Sequence, residues 1–201
     1  MTTEHRPKTG VRAAGVSAAI VLAFALTGCE TNAPVAAPTS TLPAPAEPTP
    51  TVPAYETELD LSAEEKQAVE GALLAFDGFF LSINRAYSGD FEATNDFPKY
   101  ASGDALKSIN TEASNIESGQ ATFEGSIHPQ EVSVVDILAE SGGSPSELKV
   151  HFCVDTTQWS MIPKGASSPP KPDGSVTMEH KISIHDNTWK VERQELWERR
   201  C

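Results

Sequence analysis

The chain is poor in several things, and each shortage excludes something. It has three cysteines, three methionines and three tryptophans, and aromatic residues make up only 7% of it. No pair of cysteines is spaced C-x-x-C, so neither a zinc ribbon nor a dithiol redox motif is present. Basic residues are scarce, with 15 Lys and Arg against 28 Asp and Glu and a net charge of -13. That balance argues against nucleic acid and against anionic lipid headgroups as partners. The longest apolar run, residues 13–26, falls short of the roughly 20 residues needed to cross a bilayer core. No H-E-x-x-H, G-x-S-x-G or P-loop pattern occurs, and there is no internal repeat. His180 and His185, five apart on one expected strand, point to opposite faces and do not converge on a metal. No metal site and no cofactor are expected.

What is present begins at the amino terminus. Arg6, Lys8 and Arg12 precede the apolar run, which ends in Leu26-Thr27-Gly28-Cys29. The run has the length and flanks of a signal-peptide core. Its last four residues resemble the lipobox of bacterial lipoproteins. That resemblance implies cleavage before Cys29, with Leu26, Thr27 and Gly28 read by the peptidase and Cys29 carrying the lipid. The expectation is a signal peptide over 1–28 and a mature chain tethered through Cys29 to the outer face of the cytoplasmic membrane, without a transmembrane helix. A single acyl chain holds only marginally, whereas two or three anchor firmly. Removing residues 1–28, with three bases and Glu4, leaves the remainder more acidic still.

Residues 31–54 contain Pro34, Pro38, Pro43, Pro45, Pro48, Pro50 and Pro53, separated mainly by Ala, Thr and Val. With no helical or strand period the segment builds no core. It reads as an extended spacer, at about 3.1 Å per residue, within an anchor-and-tether region over 29–57. The threonines are candidates for glycosylation. Residues 58–201 then form one domain of ordinary size.

Within the domain, Ser62 and Glu65 form a capping box. Val69, Leu73, Phe76, Phe80, Ile83 and Tyr87 follow at spacings of three and four, with Phe79 and Leu81 widening the face and Gly89 stopping the helix. A short turn surrounds Pro98. Ser102 is an expected N-cap for a second long helix carrying Leu106, Ile109, Ala113 and Ile116 and ending at Gly119. The rest is strand-like: residues 122–127, a break at Pro129, residues 132–138, then the alternating sets Leu148, Val150, Phe152, Val154 and Val176, Met178, His180, Ile182, Ile184. A tight turn at residues 185–188 leads to a last strand over 189–197. Helices followed by an antiparallel meander predict an α+β fold with the N-terminal helices packed on one face of a curved sheet. Residues 155–175 read as a long loop. Its Trp159, Met161 and Ile162 either fold back onto the sheet or form an exposed contact surface.

Three stretches carry a wider resemblance: residues 150–155 (V-H-F-C-V-D), 173–176 (D-G-S-V) and 187–191 (N-T-W-K-V). With the long first helix and Tyr87 near its end, they resemble the NTF2-like superfamily, also described as cystatin-like or SnoaL-like. The likeness is to the NTF2-like domains of small actinobacterial lipoproteins in particular. The resemblance implies a cone-shaped domain with a pocket at its wide end. Some members are isomerases, dehydratases or cyclases, and many only bind ligands or partners, so the fold alone assigns no activity.

The domain's two cysteines, Cys153 and Cys201, sit in a chain expected to be exported, where disulfides persist. An intramolecular bridge is the preferred reading, worth about 2–4 kcal/mol. The alternatives are a buried thiol with a free terminal one, or a bridge between chains through Cys201. An isomerase-like reaction needs a carboxylate base in an apolar pocket and a donor opposite it. Tyr87 is a candidate donor, but no motif assigns it a carboxylate among Asp77, Asp136 and Asp155. His151 reads as a cross-strand histidine and Asp155 as a turn cap. The function expected is therefore non-catalytic. The domain would bind an envelope protein partner or a small apolar ligand, using Tyr87, Trp159, Met161 and Ile162 as pocket or partner surface, with a homodimer possible. The alternatives are an isomerase- or dehydratase-like enzyme using the cone pocket, and a phage- or prophage-type surface-exclusion lipoprotein.

Overall fold

The computed structural model describes residues 47–139, 143–167 and 174–201. Leu26, Thr27, Gly28 and Cys29 lie outside the described residues. Helix α1 (Ala63–Tyr87) opens on the expected capping box: the Ser62 side chain accepts from the Glu65 backbone N–H, and the Glu65 carboxylate accepts from that of Ser62. Ser62→Ala should therefore cost about 1 kcal/mol, read as a lower urea midpoint with an unchanged slope. The apolar stripe of α1 is buried along its whole length, and Phe79 joins it. Leu81 is only half-buried and flanks a groove shared with residues 48–50.

After Gly89, a 3₁₀ turn (Phe91–Asp96) runs into the four-residue α2 (Phe97–Tyr100). Gly78 on α1 lets α2 approach closely, because a Cβ there would stand 2.4 Å from the Tyr100 ring. Helix α3 (Gly103–Glu117) follows and buries Ala105, Ile109 and Ala113. Ser102 holds the N-cap position but does not cap with its side chain: its hydroxyl is buried without a partner. Its backbone N–H instead donates to the Val191 carbonyl at 2.9 Å.

Among the described residues six strands follow: β1 (Ala121–Gly125), β2 (Pro129–Ala139), β3 (Pro145–Asp155), β4 (Trp159–Pro163), β5 (Ser175–His185) and β6 (Thr188–Glu198). The fold is α+β, with three helices preceding antiparallel sheets. Strands β2, β3, β5 and β6 form a four-stranded meander in that order. Register shifts in β2 and between β5 and β6 bend the sheet under the helices, as bulges do. The break expected at Pro129 falls at residues 126–128, just before it. Pro129 itself opens β2, a position where the missing N–H costs little. The β5–β6 turn puts Asp186 and Asn187 at φ +51° and +59°, the two left-handed residues of a type I′ hairpin.

Two expectations need correction. Residues 155–175 are not one loop, because β4 lies within them and pairs with β1 as a separate two-stranded sheet. The folded body also begins before residue 58. Thr51 N–H donates to Asp77 at 2.8 Å, Glu56 exchanges backbone hydrogen bonds with Val132 and Val134, and Thr57 donates to the Val134 carbonyl. Glu56 thus covers the β2 edge, and Ala101 bridges to Val191 on the β6 edge. Both edges of the meander are partly paired, which blunts edge-to-edge association. No described helix is long and apolar enough to cross a membrane.

The core lies between α1 and the concave sheet face. Phe76, Phe79, Leu73, Leu148, Val150, Phe152 and Ile182 are all at or below 1% exposure. Each such side chain contributes about 1.5–3 kcal/mol of burial, offset by the entropy of ordering it.

Candidate ligand cavity

Towards the C-terminal end of α1 the helix and the meander do not close on each other. The space between them is a cavity of about 460 Å³, within the range of small-molecule sites. Phe80, Ile83 and Tyr87 from α1 form one wall, and Phe152, Val154, Val176 and Met178 from β3 and β5 form the opposite one. The small β1–β4 sheet supplies Phe123, Trp159 and Met161, while α3 adds Ser108, Ile109 and Glu112.

The β1–β4 sheet is held in place by two devices. Gly125, at φ +88°, lies against the Gln158 carbonyl, where a Cβ would stand 1.9 Å from the oxygen; only glycine permits that approach. The Asn84 side chain both donates to and accepts from the Ile127 backbone at 2.8 Å, tying the end of β1 to α1. Alternation along β4 then sorts its apolar residues. Trp159 and Met161 line the cavity, while Ile162, half-buried and paired with Thr122, does not. Of the four residues expected as pocket or partner surface, the structure brings together Tyr87, Trp159 and Met161.

Three rings make a row along this side. Tyr87 and Phe123 meet edge to face at 5.3 Å, and Phe123 and Trp159 stack at 6.3 Å. The Tyr87 hydroxyl donates to Glu112 Oε2 at 2.5 Å, and Ser108 donates to Oε1 at 3.0 Å. Burial, then the neighbouring carboxylate, push the Tyr87 phenol well above its usual range, so it stays a neutral donor. Glu112 was not foreseen as a site residue, although its place three residues after Ile109 on the buried side of α3 marked it as a carboxylate beside the apolar stripe. Tyr87 and Glu112 bond each other directly, so Tyr87 is not a free donor facing a base across the cavity.

At the inner end lies His180, 1% exposed. It stacks on Phe80 at 5.6 Å and meets Phe152 at 4.6 Å, Phe79 at 5.3 Å and Phe76 at 5.6 Å edge to face. Burial lowers its pKa to about 3, against a small opposing effect of the hydrogen bond to Gln194, its neighbour on β6. The ring is therefore neutral at any physiological pH. Its Nδ1 and the Trp159 Nε1 are both buried without partners.

The other polar candidates are structural. Asp77 receives the Thr51 N–H, Asp136 stands 4.0 Å from Lys149, and Asp155 accepts from Thr157 N–H and hydroxyl at the turn after β3. His151 pairs with Glu179 at 2.9 Å on the outer sheet face and packs on Trp197 at 4.6 Å. His185 lies 3.6 Å from Glu192. Cys153 and Cys201 form a disulfide, with Cα atoms 5.8 Å apart; neither lines the cavity, although Phe152 and Val154 on either side of Cys153 do. Among the described residues, no group of three or more His, Cys, Asp or Glu is placed to hold a metal.

No protein-family model matches the chain, and no curated protein sequence matches it. Among solved structures, it is similar at 12% identity to the intermembrane space region of the chloroplast protein ARC6, with a TM-score of 0.46 over 70% of this chain and 99% of that one.

Proposed function

We propose that this chain is a membrane-anchored extracytoplasmic lipoprotein whose NTF2-like domain binds a small, mainly apolar ligand without chemical turnover. The observation that carries the binding reading is the cavity itself: about 460 Å³, walled by aromatic and aliphatic side chains, with its polar groups gathered at two places. Such a space is costly to leave to water, and filling it returns burial energy of about 25 cal/mol per Å² of apolar surface. The anchor rests on the lipobox-like residues ending at Cys29 and on the proline-rich stretch after it. Between a ligand and a protein partner, the placement of Trp159 and Met161 favours the ligand. Both face the cavity rather than an exposed loop.

Native mass spectra of the chain, compared with its denatured mass, test this reading. A bound small molecule, or uptake of added naphthalene, is the expected result. Trp159→Ala should weaken that uptake about tenfold or more, because it removes a large part of one wall. A chain that is isolated empty and takes up no apolar molecule would overturn the ligand reading and shift the function to protein partners.

A further inference from the structure

Resting on the reading of the cavity as a ligand site, we propose that its occupant is an apolar organic amine. Its aromatic or aliphatic body would lie in the cavity and its protonated nitrogen against Glu112, with carboxylates and phosphates turned away. The charge of the lining points there. Among the described residues that form it, one is acidic and none is Lys or Arg. Lys107, on the same helix, is exposed and shares a neighbouring surface pocket with Glu112 and Ser108, but it does not line the cavity. His180 lends no positive charge, since its burial among phenylalanine rings keeps it neutral.

Glu112 is also set up to receive a cation. Each of its oxygens already accepts one hydrogen bond, from Tyr87 and from Ser108. These fix the carboxylate in place and leave a second lone pair on each oxygen. Tyr87 bonds Glu112 directly, and Phe123 and Trp159 continue the row of rings along the same cavity; an aromatic lining adds cation–π attraction for an ammonium group to the charge of the carboxylate. An anionic headgroup inside the cavity would meet like charge with no Lys or Arg in the lining, in a chain whose net charge is -13. An alcohol would make the hydrogen bond without the charge and bind between the two.

Calorimetric titration of the full chain carrying Cys29→Ser, with naphthylmethylamine, naphthylmethanol and naphthoate, compares one apolar body with three head groups. The expected order is amine, alcohol, acid, with the amine about tenfold or more tighter than the acid, as charge-assisted bonds are the stronger ones. Glu112→Gln keeps an acceptor for Tyr87 but loses the charge, and should cut the amine's advantage by most of that factor. With Glu112 in place, added salt should weaken the amine and leave the alcohol unchanged; this readout stands even where Glu112→Gln folds poorly. An acid that binds as well as the amine, or an amine advantage indifferent to Glu112 and salt, overturns the charge selection and leaves the cavity reading intact. Failure of all three to bind overturns the cavity reading itself.

Discussion

Lowering the pH from 7 towards 4 should strip several kcal/mol of stability from this domain, and His180→Phe should remove most of that dependence. An imidazole free in an unfolded chain binds a proton near pH 6.5. In the fold, burial among Phe76, Phe79, Phe80 and Phe152 lowers the value to about 3. Between these two values the unfolded chain carries one proton more than the native one, so stability rises with pH throughout that window. The contribution is fully present above about pH 6.5, falls as the pH drops, and is lost below about pH 3. A shift of this size corresponds to roughly 5 kcal/mol, comparable to the total stability of many small domains. Urea unfolding at intervals from pH 7 to 4 measures it directly. The exposed carboxylates titrate in both proteins and cancel in the comparison. At pH 7 the phenylalanine variant should lie within about 2 kcal/mol of the parent: it removes an unpaired buried nitrogen but leaves the Gln194 amide without its partner. An identical acid slope in the two proteins would show that His180 does not carry the effect.

His180 also shows what a sequence reveals and what it conceals. Its place in the alternating set from Val176 to Ile184 marked it as inward-facing, and the structure buries it there. Its neighbours were not legible, because Phe76 and Phe80 come from a helix a hundred residues earlier and Gln194 from the next strand. Features written in a few consecutive residues could be read directly. The Ser62–Glu65 cap, the α1 stripe and the tight turn at residues 185–188 each rest on local chemistry. Strand β4 could not be read this way. It is short, it ends in proline, and its partner β1 lies across the whole of β2 and β3, so nothing local distinguishes it from loop. Residues 47–57 were hidden for a related reason. A proline-rich stretch has no period to read, and it docks through single backbone groups such as the Thr51 and Glu56 N–H. The cavity was half legible: Trp159 and Met161 stood out as apolar residues in an expected loop, and Tyr87 as a hydroxyl donor near the end of the first helix. Glu112, the group that gives the site its charge, was missed because a glutamate on an amphipathic helix is ordinarily solvent-facing.

Breaking the Cys153–Cys201 bridge should cost about 2–4 kcal/mol and loosen one end of the sheet while leaving the other intact. Cys153 lies on β3 with 8% exposure, and its register neighbours are Thr177 on β5 and, across from that, Glu198 on β6. The chain past β6 therefore crosses β5 to reach β3, and the Thr177 hydroxyl donates to the Arg200 carbonyl along the way at 2.8 Å. The bridge closes a segment of 48 residues in sequence separation, and chain entropy for a loop of that length gives roughly 4 kcal/mol, with measured losses commonly lower. The two halves of β6 should respond differently. Val191 is fully buried, bridges to Ala101, and its carbonyl accepts from the Ser102 N–H, so the first half has support that does not involve the disulfide. Leu196 and Trp197 are 47% and 57% exposed, and beyond their pairing with β5 and the contact of Trp197 with His151 the last residues are held by the bridge and the Thr177 bond. A Cys153→Ala, Cys201→Ser double variant should unfold at lower urea than the oxidised parent, match the reduced parent, and ignore reductant. Hydrogen exchange should quicken at residues 195–198 and stay slow at Val191. Because Gln194 stands at the boundary between the two halves and bonds His180, the cavity should keep its inner end, and ligand uptake should survive the loss of the bridge. An unfolding midpoint indifferent to reductant would mean that the tail is held by its other contacts and that the disulfide adds nothing to the fold.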